Sequence, residues 1–108
     1  MLPFSQIRKS ESGTFYVSGQ LPTHLDADPG EQTASCLEAI GAVLEQNGID
    51  KSRVLKTTLF TIDLDELPAI NKAYFKFFEG LEMPARSAFG VTSLAKGAKV
   101  EIDCYGEI

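Results

Sequence analysis

The sequence has little of the material from which metal centres and nucleophilic triads are built. It contains one histidine, His24, which lies between Thr23 and Leu25 in a region without other metal-ligating side chains. A lone loop histidine supplies neither a set of metal ligands nor, by itself, the base of a catalytic triad. We therefore expect no metal site and no histidine-activated nucleophile.

Cysteine is also scarce, with only Cys36 and Cys104 present. These two residues are too far apart in the sequence for a CxxC metal or redox motif. Both occupy apolar positions in the pattern of the predicted elements, where a free cysteine packs as a small hydrophobe. We expect two buried, reduced thiols, because a structural disulfide would require an oxidising compartment.

Positive charge and long apolar runs are lacking as well. Ten Lys and Arg residues stand against 15 Asp and Glu residues, which gives a formal net charge of -5 and a pI of about 4.8. Nucleic-acid affinity depends mainly on clustered Lys and Arg, so this balance argues against a nucleic-acid partner. We find no signal peptide and no apolar run long enough to span a bilayer, and we expect a cytoplasmic protein without a membrane partner.

What the chain does contain is an ordinary globular composition, with 44% hydrophobic and 23% charged residues in 108 positions. This length fits one domain covering residues 1–108, with no linker, repeat or low-complexity segment. Alternating and helical patterns predict the order β-β-α-β-α-β-β. The predicted strands are residues 4–10, 14–18, 53–63, 85–92 and 98–108, and the predicted helices are residues 31–46 and 67–78.

The predicted elements form a mixed α/β (α+β) fold whose two helices cover one face of the sheet. A loop at residues 19–30 follows the second strand and is a natural wall for a pocket. On the uncovered face we expect Tyr16, Leu55 and Leu59, and an exposed apolar sheet face usually marks a partner. We therefore expect a homo-oligomer that packs sheet faces together, with any pocket at the seam between subunits.

Two charged residues near the end of the chain have a chemical interpretation. Arg86 shares one face of its strand with Ala88, and alternation places Glu101 opposite the apolar face of the last strand. On neighbouring strands, an arginine that binds a substrate carboxylate and a glutamate that handles a water can divide a hydrolytic task. The simpler interpretation is two surface residues, or one cross-strand salt bridge.

Seven segments, in order along nearly the whole chain, match a pattern found in one known family. They are PFSQ at 3–6, VSGQLP at 17–22, EQT at 31–33, VLKTTLF at 54–60, INKAYFKFF at 70–78, PARS at 84–87 and KVEI at 99–102. Together these segments resemble the RidA family, also called YjgF, of reactive intermediate/imine deaminases.

The resemblance implies a chorismate-mutase-like fold and a homotrimer with three clefts between subunits. It also implies hydrolysis of enamines and imines, such as 2-aminoacrylate and 2-iminopropanoate, to a 2-keto acid and ammonia. The ligand would be a small imine or 2-keto acid, and neither a metal nor an organic cofactor would be required.

The resemblance also assigns roles to individual residues. Arg86 occupies the position that binds the substrate carboxylate, and Glu101 that of the acid thought to orient or activate the attacking water. Ser18 and Gly19 occupy positions that line the cleft. Asn71 matches a cleft-associated asparagine on the second helix.

Two predicted substrate-binding positions depart from the family pattern. Phe4 stands where the family often has tyrosine, and Ala88 stands where it often has cysteine after Arg-Ser. A hydroxyl contact is therefore missing at Phe4, whereas backbone groups at Ala88 remain available to a substrate. These departures bear on substrate range and rate more than on reaction type.

Two other functions remain open at this point. The same Arg86 cleft in a non-enzymatic regulatory trimer would bind small carboxylates or 2-keto acids without turnover. The resemblance also permits a ribonuclease or translation-inhibitor activity, against which the acidic composition weighs. The implied fold is shared with chorismate mutase, but fold analogy alone does not transfer an activity.

Overall fold

The computed structural model describes all 108 residues and has the predicted element order. The strands are β1 (Ile7–Lys9), β2 (Thr14–Gln20), β3 (Val54–Thr61), β4 (Ala85–Gly90) and β5 (Val100–Glu107), and the helices are α1 (Pro29–Gln46) and α2 (Leu67–Phe77). Short 3₁₀ turns occupy Lys51–Arg53, Leu64–Glu66 and Ala95–Gly97.

The five strands form one mixed sheet in the order β1-β2-β5-β3-β4. Only β3 and β4 are parallel, and α2 supplies the crossover that a parallel pair needs. The last strand enters the sheet between β2 and β3 and pairs antiparallel with both. The expectation that Arg86 and Glu101 lie on neighbouring strands is therefore wrong, because β3 separates β4 from β5, and the two residues form no cross-strand pair.

Helix α1 is fixed at both ends by local hydrogen bonding and backbone geometry. The Asp28 carboxylate accepts a hydrogen bond from the Glu31 backbone N–H at 2.9 Å, and Pro29 opens the first turn. The helix therefore starts two residues before its predicted start. It ends before Asn47, and Gly48 follows with φ of +68°, a conformation that favours glycine.

The hydrophobic core lies between the two helices and one face of the sheet. From α1 it takes Cys36, Leu37, Ile40 and Leu44, and from α2 and its end Ile70, Tyr74 and Phe78. The sheet contributes Phe15, Val17, Val54, Leu59, Val100, Ile102 and Cys104, and Ile49 completes the cluster. The apolar stripes predicted at helical spacing thus face the sheet.

Leu59 belongs to this core, and its predicted place on the uncovered face is wrong. Its side chain is 0% exposed, whereas Leu55 is 55% exposed. The pairing of β3 with β5 shifts register between Val54 and Lys56, so Leu55 is the extra residue of a bulge. A bulge changes the phase of the alternation, and residues that simple alternation puts on one face end up on opposite faces.

The uncovered face of the sheet carries exposed apolar residues, as predicted from Tyr16 and Leu55. Tyr16 is 53% exposed, and its ring lies 5.9 Å from that of Tyr105 on the adjacent β5. Phe60 and Phe89 form a second, stacked pair with ring centroids 6.0 Å apart. Neither helix covers this open face.

Both cysteines are free and buried, as the sequence predicts. Burial raises the pKa of each thiol to about 12, with a further contribution from the charge of Glu101 on Cys36 and of Asp103 on Cys104. At neutral pH both thiols are protonated and therefore poor nucleophiles. No helix of the chain combines the length and the apolar character needed to cross a membrane.

Candidate functional site

The predicted site residues fall into two groups on opposite faces of the sheet. We call Ser18, Gly19 and Glu101 the carboxylate half-site, and Asn71 with Arg86 the arginine half-site. The first group lies on the open face, since Glu101 alternates with buried residues of β5. The second group lies on the helix-covered side, where Arg86 is in register with a buried threonine of β3.

The carboxylate half-site depends on a close approach between a side chain and a bulged backbone. Strand β2 extends to Gln20, so Gly19 is part of a strand and not of the predicted loop. The pairing of β2 with β5 shifts register between Val17 and Gln20, which marks a bulge at this point. A Cβ at Gly19 would overlap Oε2 of Glu101 and lie 3.0 Å from its Cδ. The missing side chain at Gly19 therefore makes room for the Glu101 carboxylate.

Ser18 ties the N-terminal segment to this half-site. Its hydroxyl donates a hydrogen bond to the Ser5 carbonyl at 2.6 Å, and its backbone N–H donates to the Gln6 carbonyl at 3.0 Å. Because Phe4 directly precedes Ser5, these bonds also hold the Phe4 backbone near the carboxylate half-site. Phe4 is itself 52% exposed. The Ser18 hydroxyl proton is thus already used, while its oxygen can still accept a hydrogen bond.

Glu101 is half-buried, and its electrostatic environment favours the protonated form. Burial raises the pKa of its carboxyl, and the negative charge of Asp103, two residues along the same face, raises it further. The pKa of Asp103 is also raised, again mainly by burial. A carboxyl with a raised pKa exchanges a proton more readily near neutral pH. The sequence reasoning assigned no role to Asp103, although strand alternation already placed it beside Glu101.

The arginine half-site holds a cation over an aromatic ring. The Arg86 guanidinium carbon lies 4.8 Å from the centroid of the Tyr74 ring. The Tyr74 hydroxyl is hydrogen bonded to the Thr57 hydroxyl at 2.6 Å, which fixes the ring. The half-buried guanidinium makes no hydrogen bond or ion pair within the chain, so its donors are available to a ligand. The helical spacing of Tyr74 predicted its core position but not its contact with Arg86.

A cavity of about 290 Å³ opens beside this guanidinium. Its lining residues are Asn71, Tyr74, Phe75, Met83, Pro84 and Arg86. The structure thus brings Asn71 and Arg86 to the same cavity. Ala88, two residues after Arg86 on the same face, packs against the core and does not line the cavity.

The two half-sites do not meet within one chain. Arg86 is on β4 and Glu101 is on β5, with β3 between them, and their side chains are on opposite faces. Two strand spacings alone separate their backbones by about 10 Å. A small imino acid therefore cannot contact both charged groups of a single subunit.

A larger cavity of about 700 Å³ lies elsewhere, where α1 ends near the last residue of α2. Its one cation, Lys51, donates a hydrogen bond to the Phe77 carbonyl at 2.7 Å and lies 4.5 Å from the Phe77 ring centroid. Its carboxylates, Glu38, Glu45 and Asp50, are exposed. Because Lys51 is already hydrogen bonded and the three acids are solvated, this cavity presents fewer free, partly buried polar groups to a ligand than the cavity at Arg86. No group of three or more His, Cys, Asp or Glu side chains anywhere in the chain is arranged to hold a metal ion.

Comparisons with known proteins identify the family to which the chain belongs. A family described as Endoribonuclease L-PSP matches residues 1–108. The rat protein named 2-iminobutanoate/2-iminopropanoate deaminase is 35% identical over 96 residues, which cover 83% of this chain and 69% of the rat protein.

Solved structures extend the similarity to the whole fold. The Yersinia pestis protein YyfA, described as a member of the Rid family, superposes with a TM-score of 0.94 at 35% identity, covering 100% of this chain and 90% of YyfA. Escherichia coli TdcF with bound serine gives 0.92 at 28% identity, covering 100% and 90%. The chorismate-mutase-like fold is thereby confirmed, and the chain belongs to the RidA/YjgF family.

Proposed function

We propose that this protein is an imine deaminase that hydrolyses 2-imino acids, including 2-iminopropanoate formed from 2-aminoacrylate, to 2-keto acids and ammonia. The observation that carries the proposal is the half-buried Arg86 guanidinium, which lines a cavity and has no partner within the chain. A guanidinium of this kind suits a planar carboxylate, the group that every 2-imino acid carries. The name of the rat relative supports the same chemistry.

The proposed active site is shared between subunits of a homotrimer. Because Arg86 and Glu101 lie on opposite faces of the sheet, a substrate contacts Arg86 of one subunit and Glu101 of the partner subunit. Exposed apolar residues on the open face, Tyr16 and Leu55 among them, supply surface for the contact. When each subunit contacts the next through two different surfaces, the subunits can form a closed ring. A ring of three copies has three equivalent interfaces and therefore three equivalent clefts.

Arg86 binds and orients the substrate. Its two parallel N–H donors fork onto the carboxylate, and the Tyr74 ring below keeps the guanidinium from turning away. The Asn71 amide at the same cavity is available to a second polar group of the substrate. Fixing the carboxylate fixes the adjoining imine carbon, so water meets the electrophile in one orientation.

Glu101 handles the protons of the reaction. The carboxylate takes a proton from a water, whose oxygen then adds to the carbon of the protonated imine. The nitrogen of the resulting carbinolamine accepts that proton from Glu101, and its C–N bond breaks. As ammonia leaves, the freed Glu101 carboxylate takes the hydroxyl proton while the C=O bond forms, and it then passes this proton to the ammonia, which departs as ammonium. A carboxyl with a raised pKa suits these proton transfers. An enamine such as 2-aminoacrylate enters this sequence after tautomerising to the imine.

A regulatory trimer that binds 2-keto acids without turnover is the second candidate. Phe4 lacks a hydroxyl, and Ala88 lacks a side chain that reaches the cavity, so the site has fewer polar groups than the family often has. A ribonuclease is a weaker candidate, because the chain carries a formal net charge of -5, which disfavours phosphate binding. Salt-dependent RNA binding would reveal it.

The experiment is a coupled assay in which a serine or threonine dehydratase generates 2-aminoacrylate and pyruvate release is followed. We expect wild type and the control Arg53→Ala to accelerate release, and Arg86→Ala not to do so. Arg53 is a matched control because it is an exposed arginine that does not line the cavity. If wild type binds 2-keto acids but does not accelerate release, the regulator replaces the enzyme.

A further inference from the structure

A fully buried glutamine near the start of α1, Gln32, is hydrogen bonded at both ends of its side-chain amide. Its Nε2 group donates to the carbonyls of His24, Leu25 and Ala27 at 3.2, 3.0 and 3.1 Å, and its Oε1 accepts the Lys99 backbone N–H at 2.8 Å. The side chain is 0% exposed. Three carbonyls on one side and an N–H on the other leave one orientation for the amide, so the side chain holds two chain segments together.

The two segments lead to the two parts of the carboxylate half-site. Residues 21–28 form the loop that follows Gly19 at the end of β2, and Lys99 stands two residues before Glu101. Because β2 and β5 are antiparallel, the chain leaves Gly19 and approaches Glu101 at the same end of the sheet. The glutamine therefore bridges the two backbones that bring Glu101 against Gly19, and we call this bridge the amide clamp.

Two further hydrogen bonds fasten the same stretch of chain. The Lys99 ammonium donates to the Ala27 carbonyl at 2.8 Å, which ties the loop to the approach of β5 a second time. One turn further along α1, the Cys36 thiol donates to the Val100 carbonyl at 3.5 Å. Helix α1 is thus tied to both residues that directly precede Glu101, and the amide clamp at 2.8 Å is the shorter of the two ties.

We propose that Gln32 is a positioning residue, whose amide clamp holds the Glu101 carboxyl in the space beside Gly19. The proposal rests on the imine deaminase function above, in which Glu101 handles the protons. Without the amide clamp the loop and the strand can shift against each other, and a displacement of about 1 Å at a reacting group costs up to about 100-fold in rate. The arginine half-site lies on the other face of the sheet, so ligand binding at Arg86 does not depend on the amide clamp.

The first test compares Gln32→Met with the control Thr33→Val. Methionine has a similar size but lacks the amide, whereas valine removes only a hydrogen bond from the Thr33 hydroxyl to the Pro29 carbonyl of the same helix. Both native side chains are 0% exposed, so both variants lower stability. We expect kcat to fall about ten-fold or more in Gln32→Met, with unchanged affinity for 2-keto acids, and to stay at the wild-type value in Thr33→Val. Loss of kcat and affinity together, or an equal loss of kcat in the control, overturns the proposal.

Gln32→Glu decides the question where methionine prevents folding, because a protonated carboxyl keeps one donor and one acceptor. Burial among carbonyls favours its protonated form, and ionisation breaks the amide clamp. The kcat profile should therefore gain an alkaline limb that wild type lacks, while the affinity for 2-keto acids persists across it. No such limb, or a limb along which affinity is lost as well, contradicts the proposal. Ionisable neighbours of the introduced carboxyl are Lys99, His24, Asp28, Cys36 and Glu101.

Failure of the proposed function leaves this inference testable. If wild type accelerates the hydrolysis of no imine, the titration of the Glu101 carboxyl, followed by carbon-13 NMR, decides the question alone. Burial is the main cause of the raised Glu101 pKa, so a carboxyl that leaves its place beside Gly19 becomes more hydrated. We expect Gln32→Met to lower that pKa towards the ordinary 4.5 and Thr33→Val to leave it unchanged. Identical titrations in wild type and both variants overturn the positioning role, whether or not the protein is an enzyme.

Discussion

The two half-sites hold their charged groups in different ways. Glu101 lies on β5, which has a strand on each side, and the bulged backbone of Gly19 shapes the space for its carboxylate. Arg86 lies on the edge strand β4, and its guanidinium rests on the Tyr74 ring beside a cavity. Backbone geometry in the middle of the sheet therefore positions the acid, whereas side-chain packing at the edge positions the cation. The position of Glu101 suits the proposed proton transfer, and the position of Arg86 suits the proposed recognition of a ligand.

Removing the cation should produce the largest effect. Arg86→Ala takes away two charge-assisted hydrogen bonds to the substrate, and we expect kcat/KM to fall by roughly 100-fold or more. The affinity for 2-keto acids should fall with it, while the assembly measured by light scattering stays intact. Arg86→Lys should recover only part of the loss, because lysine lacks the planar fork. Full turnover by Arg86→Ala would remove this residue from the mechanism.

Neutralising the acid should act on rate rather than on binding. Glu101→Gln keeps the size of the side chain but cannot accept the water proton, so kcat should fall by about 100-fold. Titration with a 2-keto acid should show little change in affinity, in contrast to Arg86→Ala. A large loss of affinity would instead identify Glu101 as a binding or structural residue.

Filling the space at Gly19 should disturb the acid without removing it. A methyl group there overlaps the Glu101 carboxylate, so we expect Gly19→Ala to lower kcat by about ten-fold with little change in keto-acid affinity. Adding Glu101→Asp to this variant should cost less than it does in wild type, because the shorter side chain clears the methyl group. The control is Gly41→Ala, whose Cβ would meet the Phe77 ring at an ordinary 3.5 Å. Equal losses in both backgrounds would contradict this role of Gly19.

A smaller effect should appear in the pH dependence. Asp103→Asn removes the negative charge that helps raise the Glu101 pKa, so that pKa should fall. Since the deprotonated carboxylate activates water, the acidic limb of the kcat profile should move to lower pH. An unchanged limb would indicate that a group other than Glu101 titrates there.

The same carboxyls predict the pH dependence of stability. Because the folded state raises both pKa values, it holds these protons more tightly than the unfolded chain. Their contribution to stability should therefore decrease as pH rises from the ordinary values, 4.5 for Glu101 and 3.8 for Asp103, through the raised ones. Thermal unfolding should show this decrease weakened in Asp103→Asn.

Local patterns in the sequence account for the parts of the fold that depend on near neighbours. Helical spacing predicted the buried stripes of α1 and α2, and strand alternation placed Glu101 on the open face. Insertion of β5 between β2 and β3 could not be predicted in this way, because strand order depends on contacts between distant residues. The bulges at Leu55 and Gly19 could not be predicted for a related reason, because a bulge is defined by how one strand pairs with another.

The same limit applies to the candidate site. The resemblance predicted that Arg86, Glu101, Gly19 and Asn71 are site residues. The structure shows the side chains, backbone and cavity that surround them. The resemblance could not show that β3 separates the strand of Arg86 from the strand of Glu101, because strand order depends on contacts between distant residues. Nor could spacing along α2 reveal that Phe75 meets Met83 at one cavity, because these residues belong to different elements.

The central claim is that one active site takes Arg86 from one subunit and Glu101 from its partner. The most direct test mixes Arg86→Ala and Glu101→Gln chains, each inactive alone, by co-expression or by joint refolding. Random assembly from equal amounts should restore about a quarter of wild-type activity, because one cleft in four then combines an intact Arg86 with an intact Glu101. If mixed assemblies form and remain inactive, the two residues do not act across subunits and the account is contradicted.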